Sequence, residues 1–213
     1  MATFKSPLLG TLRGKIGNTV AVKRGNQNIL MPISERSKNY SEVQVLQQKR
    51  FKETLSMMRL FKPAITVGFK SSSSSLNSFN RAMQVNAPAL IGDYPNYIWD
   101  YSAIKLSEGE QSPIYVESCE STITKVIDVS WSDNADSGSE FSLNSDSISF
   151  FCLSEEKGQV IVKNKAVVRE SLSASIALPQ AFVGDSIHVW AFVNGSSNGY
   201  VSNSTYLGTV TLA

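Results

Sequence analysis

Few residues in this chain could do chemistry, and they are scattered. The stretch Gly10 to Leu30, GTLRGKIGNTVAVKRGNQNIL, sets glycines beside lysines and arginines, the mixture from which phosphate cradles are built. A phosphate loop needs GxxxxGK followed by Ser or Thr, so that a hydroxyl reaches magnesium and the next helix points its N-terminus at the phosphates. Here Gly10 and Gly14 enclose three residues, Ile16 stands where the hydroxyl belongs, and a strand-like pattern comes next. The run Gly195-Ser196-Ser197-Asn198-Gly199 matches G-x-S-x-G, but that elbow needs a helix after it and a histidine later in the chain. YVSNSTYLGTV comes after it instead, and the single histidine, His188, lies earlier.

His188 alternates with Trp190 and Phe192, which makes it a packed, hydrogen-bonded side chain, and no second histidine supports a transition-metal site. Cys119 and Cys152 lie 33 positions apart without a CxxC, so they read as two small buried thiols, with pairing across a sandwich as the alternative. The segment Ser132 to Glu140 has the composition of a calcium loop without the 1, 3, 5 and 12 spacing. It reads as a solvated turn, with a weak calcium site near Asp133 as the alternative. No nucleophile, base and acid can be assembled, so the expectation is a protein with no catalytic residue, no cofactor and no metal.

What remains is charge and aromatic surface. Residues 1–90 hold 14 Lys and Arg against 3 acids, and residues 91–213 hold 6 against 15, a balance of +11 against −9. Such asymmetry points to a basic segment meeting a polyanion or the acidic part of a neighbour, with Lys15, Lys23, Arg24, Lys49, Arg50 and Lys52 as the contacts. Tyr94, Tyr97, Trp99 and Tyr101 crowd one short segment. They could stack on sugars or bases, or wedge the N-terminal unit against the C-terminal one.

The elements that carry these residues can be read from periodicity. GNTVAVK and NILMP, separated by Arg24 to Gln27, predict a β-hairpin over 17–32. Ser41 with Gln44 forms a capping box for a helix over 41–62, with Val43, Leu46, Phe51, Leu55, Met58 and Phe61 on one face, Lys49, Lys52 and Arg59 away from it, and Pro63 as its end. Leu76, Phe79 and Met83 predict a short helix near 75–85, after the serine run Ser71 to Ser75 and before Pro88. From Tyr101 onward come eight short strand-like runs: YSAIKL, SPIYVES, TITKVIDVSW, DSISFFCL, QVIVKN, SLSASIAL, DSIHVWAFV and STYLGTVTL. Their spacing predicts a β-sandwich of immunoglobulin or fibronectin type III kind, with Trp131 and Tyr206 in its core. The fold class is α+β: a basic hairpin-plus-helix unit over 1–99 and an all-β sandwich over 100–213. With 42% hydrophobic and 18% charged residues, the chain can bury ordinary globular cores. No run reaches the ~18 apolar residues of a membrane helix, and the N-terminus lacks a signal-like apolar core; the expected location is the cytoplasm or a virion-like particle, with no membrane partner.

GxLRGKIGNTVAVKRG, Gln47 to Phe51 (QQKRF), and Val201 to Gly208 (VSNSTYLG) together resemble an uncharacterised family from Bacteroidota. The resemblance spans essentially the whole chain and carries no catalytic residues over. It implies that Gly14, Lys15, Gly17 and Asn18 open a structural hairpin whose glycines supply positive φ or a close approach to another chain. The resulting expectation is a non-enzymatic structural or assembly protein, self-associating through its basic N-terminal part or meeting other assembly proteins, as in a phage-like virion, tail or filament. The alternatives are a nucleic-acid-binding protein and a carbohydrate-binding module.

Overall fold

The computed structural model describes residues 2–4, 13–25, 27–33, 39–70, 76–136 and 138–213. Gly10, Asn26, the serine run 71–75 and Ser137 lie outside the described residues. Internal contacts divide the chain into two compact units, Met1–Val45 and Leu46–Ala213.

The first unit is one antiparallel sheet of β1 (Ala2–Phe4), β2 (Gly14–Ile16), β3 (Thr19–Arg24) and β4 (Gln27–Pro32), in the order β1-β4-β3-β2. The hairpin expected over 17–32 is β3 and β4, in register from Thr19↔Pro32 to Arg24↔Gln27. Gly17, at φ +57°, turns β2 into β3, a conformation that a side chain disfavours. The capping box forms as its residues dictate: the Gln44 amide donates to the Ser41 hydroxyl at 3.3 Å, and the Ser41 amide donates to the Gln44 side chain at 3.0 Å.

Three helices come next: α1 (Glu42–Leu60), α2 (Lys62–Gly68) and α3 (Ser78–Asn86). α1 stops at Leu60, close to the end expected at Pro63. Pro63 occupies the first turn of α2, where its missing N–H costs nothing. α3 is capped by the Asn77 side chain, which accepts from the Asn80 amide at 2.8 Å. The short pair β5 (Leu90–Ile91) and β6 (Ile98–Trp99) leads into the strands. The run YSAIKL is no strand. The Asp100 carboxylate accepts from the amides of Ser102 and Ala103, and that cap sets a turn of 3-10 helix over Tyr101–Ala103.

Seven strands make two antiparallel sheets. β10 (Gln159–Val168), β9 (Ser147–Ser154), β12 (Ser186–Asn194) and β13 (Thr205–Thr211) form one, in that order. β11 (Ser173–Ala177), β8 (Val126–Ser132) and β7 (Tyr115–Ile123) form the other. Their facing sides enclose a core with Ile127, Val129, Trp131, Phe150, Cys152, Ile176, Val189 and Val193 buried.

The central strands of the four-stranded sheet, β9 and β12, are buried on both sides. The sheet's other face, with Phe151, Leu153, Trp190 and Phe192, shares a second apolar cluster with Met58, Phe61 and Ile65 of α1–α2 and Met83 of α3. Residues 46–213 are therefore three layers: helices, a four-stranded sheet and a three-stranded sheet. The division expected between residues 99 and 100 runs through this shared core, which is why contacts divide the chain at Val45 and Leu46 instead. Tyr206 belongs to the helix-side cluster rather than the sandwich core, because the β12–β13 register shifts between Val189 and Trp190. Gly68 marks how closely α2 approaches the segment that leads into β7, since a Cβ there would lie 2.2 Å from the Leu106 carbonyl oxygen.

Candidate functional site

The expected apolar face of α1 divides in two. Met58 and Phe61 are buried and Leu55 is half-buried against the helix-side cluster. Val43, Leu46 and Phe51 are exposed, Phe51 at 60% and Leu46 at 44%. Only the last turns of α1 thus contribute to the core, and its earlier turns border a groove of about 490 Å³ between α1 and α3. Phe51, Leu55, Phe79, Met83 and Ala87 line it together with Arg50 and the residues Gln47, Asn80 and Gln84. Phe79 and Met83 carried a sequence signal, their i, i+4 spacing on one helical face, but spacing does not distinguish a core from an open groove.

The basic residues do not act alike. Arg50 turns inward, where its guanidinium donates to the Leu90 carbonyl and, at 3.4 Å, to the Gly92 carbonyl, fastening α1 to β5. Lys49 places its Nζ 3.5 Å from the centroid of the Tyr94 ring, a cation–π contact. Lys52 is exposed on α1, as are Lys15, Lys23 and Arg24 on the sheet of the first unit. Gly14 (φ +113°) and Gly17 take the left-handed backbone that their residue type permits, and Asn18 accepts from the Ile33 amide at 2.9 Å.

The aromatic segment is also divided. Trp99 and Tyr101 pack against the helix-side cluster. Tyr101 stacks on His188 with ring centroids 3.8 Å apart. Tyr94 is 49% exposed and meets Tyr97 edge-on at 6.3 Å.

Around His188 the side chains form a polar network. Its Nδ1 lies 2.8 Å from the Tyr206 hydroxyl and 3.0 Å from that of Thr209, and its Nε2 lies 3.6 Å from a Glu155 carboxylate oxygen. Burial pushes the imidazole below its ordinary value despite Glu155, and burial with Glu155 pushes Tyr101 up to about 12. With Tyr101 stacked over the ring, these groups lock the β12–β13 edge. The GSSNG turn is likewise structural: Ser196 donates to Asp146 through its amide at 3.0 Å, and the Asn198 side chain accepts from the Tyr200 amide at 2.9 Å. In the acidic loop, Asp133 and Asp136 accept from the amides of Ala135 and Gly138, and among the described residues no three His, Cys, Asp or Glu side chains converge on a metal position. Cys119 and Cys152 are free thiols whose burial raises them to about 11 and about 12, so neither forms thiolate at neutral pH.

The outer face of the three-stranded sheet is acidic. The alternation of β8 buries Ile127, Val129 and Trp131 and turns Asp128 outward, opposite Glu120 of β7. Glu117 and Tyr115 are exposed on the same strand, Tyr115 at 63%. Among the described residues no helix is long and apolar enough to cross a membrane.

A family model described as a family of unknown function, DUF6266, matches residues 11–208. The chain belongs to that family, and the match runs from the hairpin of the first unit to β13 of the second. No curated protein matches the chain.

Proposed function

We propose that this member of the family is a non-enzymatic structural or assembly protein, a component of a phage-like virion, tail or filament of the Bacteroidota, which self-associates through its basic N-terminal part. The sandwich is read as an immunoglobulin-like module of fibronectin type III kind, a reading supported by its strand order of β11-β8-β7 against β10-β9-β12-β13. One observation carries the functional reading: the two outer faces of the 46–213 body differ in charge. Residues 46–90, which form the helical layer, hold seven Lys and Arg and one acid, Glu53. The opposite outer sheet presents Glu117, Glu120 and Asp128. A body with unlike faces is complementary to its own copy when stacked face to back.

Single exposed ion pairs contribute about 0–1 kcal/mol each and weaken with salt. Association of this origin is concentration-dependent and salt-sensitive. Sedimentation velocity of the full chain across protein concentration, at low and high salt, tests it. The expected result is growth in size at low salt that high salt reverses, and that reversal of Lys15, Lys23, Arg24 and Lys52 to Glu diminishes. A monomer at every concentration would reject the reading. Salt-dependent binding of generic duplex DNA by that monomer would favour the nucleic-acid alternative, in which Lys15, Lys23, Arg24 and Lys52 are the exposed phosphate contacts.

A further inference from the structure

Opposed charges orient a neighbour but bind it weakly, so a contact that holds copies together needs directional bonds as well. Sheet edges offer them, because a terminal strand presents unpaired N–H and C=O groups that another strand can complete. In the sandwich two terminal strands lie against each other: β7 ends the three-stranded sheet and β13 the four-stranded one. A cleft of about 350 Å³ lies between them, and every residue from Tyr115 to Cys119 lines it, opposite Thr205 to Leu207. Successive side chains on a strand point to opposite faces, so a cleft that touches all five follows the backbone edge of β7 rather than one of its faces. Glu117 stands there at a bulge, since the β7–β8 register passes from Val116 to Ser118 and leaves it unmatched across the ladder. It is exposed and makes no ion pair among the described residues.

A strand that fits this edge lies in the first unit. Among the described residues β2 ends its sheet, and its residues Gly14, Lys15 and Ile16 are all exposed, Ile16 at 48%. Lys15, with Arg13 two residues before it, is likewise without an ion pair among the described residues. β1, the other end of that sheet, carries no charge. Like edges match poorly: β7 against β7 would set Glu117 and Glu120 of one copy near those of the other, and β2 against β2 would oppose two copies of Lys15. β10, the far edge of the four-stranded sheet, carries Lys163 and Lys165 and repels β2 for the same reason. Alternation completes the fit. With Lys15 turned outward, Ile16 and Gly14 turn inward together, and Gly14 adds no bulk where the two backbones meet.

We propose that β2 of one copy adds as a fourth strand to the β7 edge of the next copy's three-stranded sheet, Ile16 entering the cleft beside Val116 and Leu207 while Lys15 meets Glu117. This rests on the self-association reading and names its donor and acceptor strands. Donor and acceptor are different surfaces, so the contact is heterologous and propagates as a filament or closes as a ring.

Sedimentation velocity of the full chain at low salt tests it with two variants. Ile16→Glu sets a charge where the incoming strand must bury its apolar side chain, and Glu117→Pro removes an edge N–H at a position outside the β7–β8 ladder. Both sites are exposed, and thermal melting checks that each variant folds. Each alone is expected to stay monomeric at concentrations where the wild type grows, because one lacks the donor and the other the acceptor. Mixed one to one they should form a dimer and stop there, the intact β2 of the Glu117→Pro chain seated on the intact β7 of the Ile16→Glu chain. Lys15→Glu and Glu117→Lys, which leave the backbone alone, should each weaken association and together recover part of the loss. Association undiminished in both variants, loss confined to one of them, or a mixture that stays monomeric overturns the pairing of β2 with β7 while leaving self-association standing. A wild type that never associates overturns both.

Discussion

Arg169 is fully buried, and its guanidinium is divided among the Ser112 carbonyl at 2.6 Å, the Asn134 side chain at 2.6 Å and Asp146 at 3.8 Å. Asp146 in turn accepts from Gln111 and from the amides of Leu143 and Ser196. One ion pair thereby gathers loops from distant parts of the chain. Arg169→Ala leaves Asp146 buried and uncompensated, and should cost about 3–5 kcal/mol of stability in urea unfolding. Nothing in the sequence announced this pair, since both residues stand in turn-like clusters where charges are ordinarily solvated. His188 was more legible, because a lone histidine alternating with Trp190 and Phe192 had to be packed. Its folded pKa lies below the ordinary value of 6.5 through burial, so the unfolded chain binds the proton first as pH falls. Stability should accordingly decline as pH drops through about 6.5 and level off below the folded value. Urea midpoints followed downward from about pH 7.5 through 6.5 should show the decline in the wild type and a shallower one in His188→Phe.

Among the elements, β9 and β12 organise the rest. Phe150-Phe151-Cys152-Leu153 and Ile187 through Val193 are nearly unbroken apolar runs, and every one of these residues is buried. Continuous runs mark strands covered on both faces, whereas β8, which alternates, has one wet face. That contrast was present in the sequence, yet strand spacing alone suggested a free-standing sandwich. The front of α1 was illegible for the opposite reason: Leu46 and Phe51 have the periodicity of a core face but no layer beneath them. Trp190 is wholly buried and packs edge-on against Phe61 at 5.2 Å, so Trp190→Ala should cost about 3–5 kcal/mol. Gly68→Ala should cost about 1–3 kcal/mol, because the new Cβ meets backbone at Leu106 rather than a movable side chain. Denaturant melts of the two variants compare these costs directly.

For the molecule as a whole, the helices are a structural layer of the body that contains the sandwich. A fragment of residues 100–213 would uncover Phe151, Leu153, Trp190 and Phe192, the face that α1, α2 and α3 bury. It should bind a hydrophobic dye and aggregate, whereas residues 42–213 at high salt should melt cooperatively and leave the dye dark. The same layering sets a basic helical layer and an acidic sheet on opposite sides, and the proposed mode of assembly rests on that opposition. Hydroxyl-radical footprinting of the full chain, dilute and then concentrated at low salt, reads both sides at once through Phe51 and Tyr115. The expected result is that both side chains are oxidised in dilute solution, become protected together on concentration, and are released together by salt. Phe51 and Tyr115 remaining equally reactive while the protein associates, or only one of them gaining protection, would contradict head-to-tail assembly through these two faces.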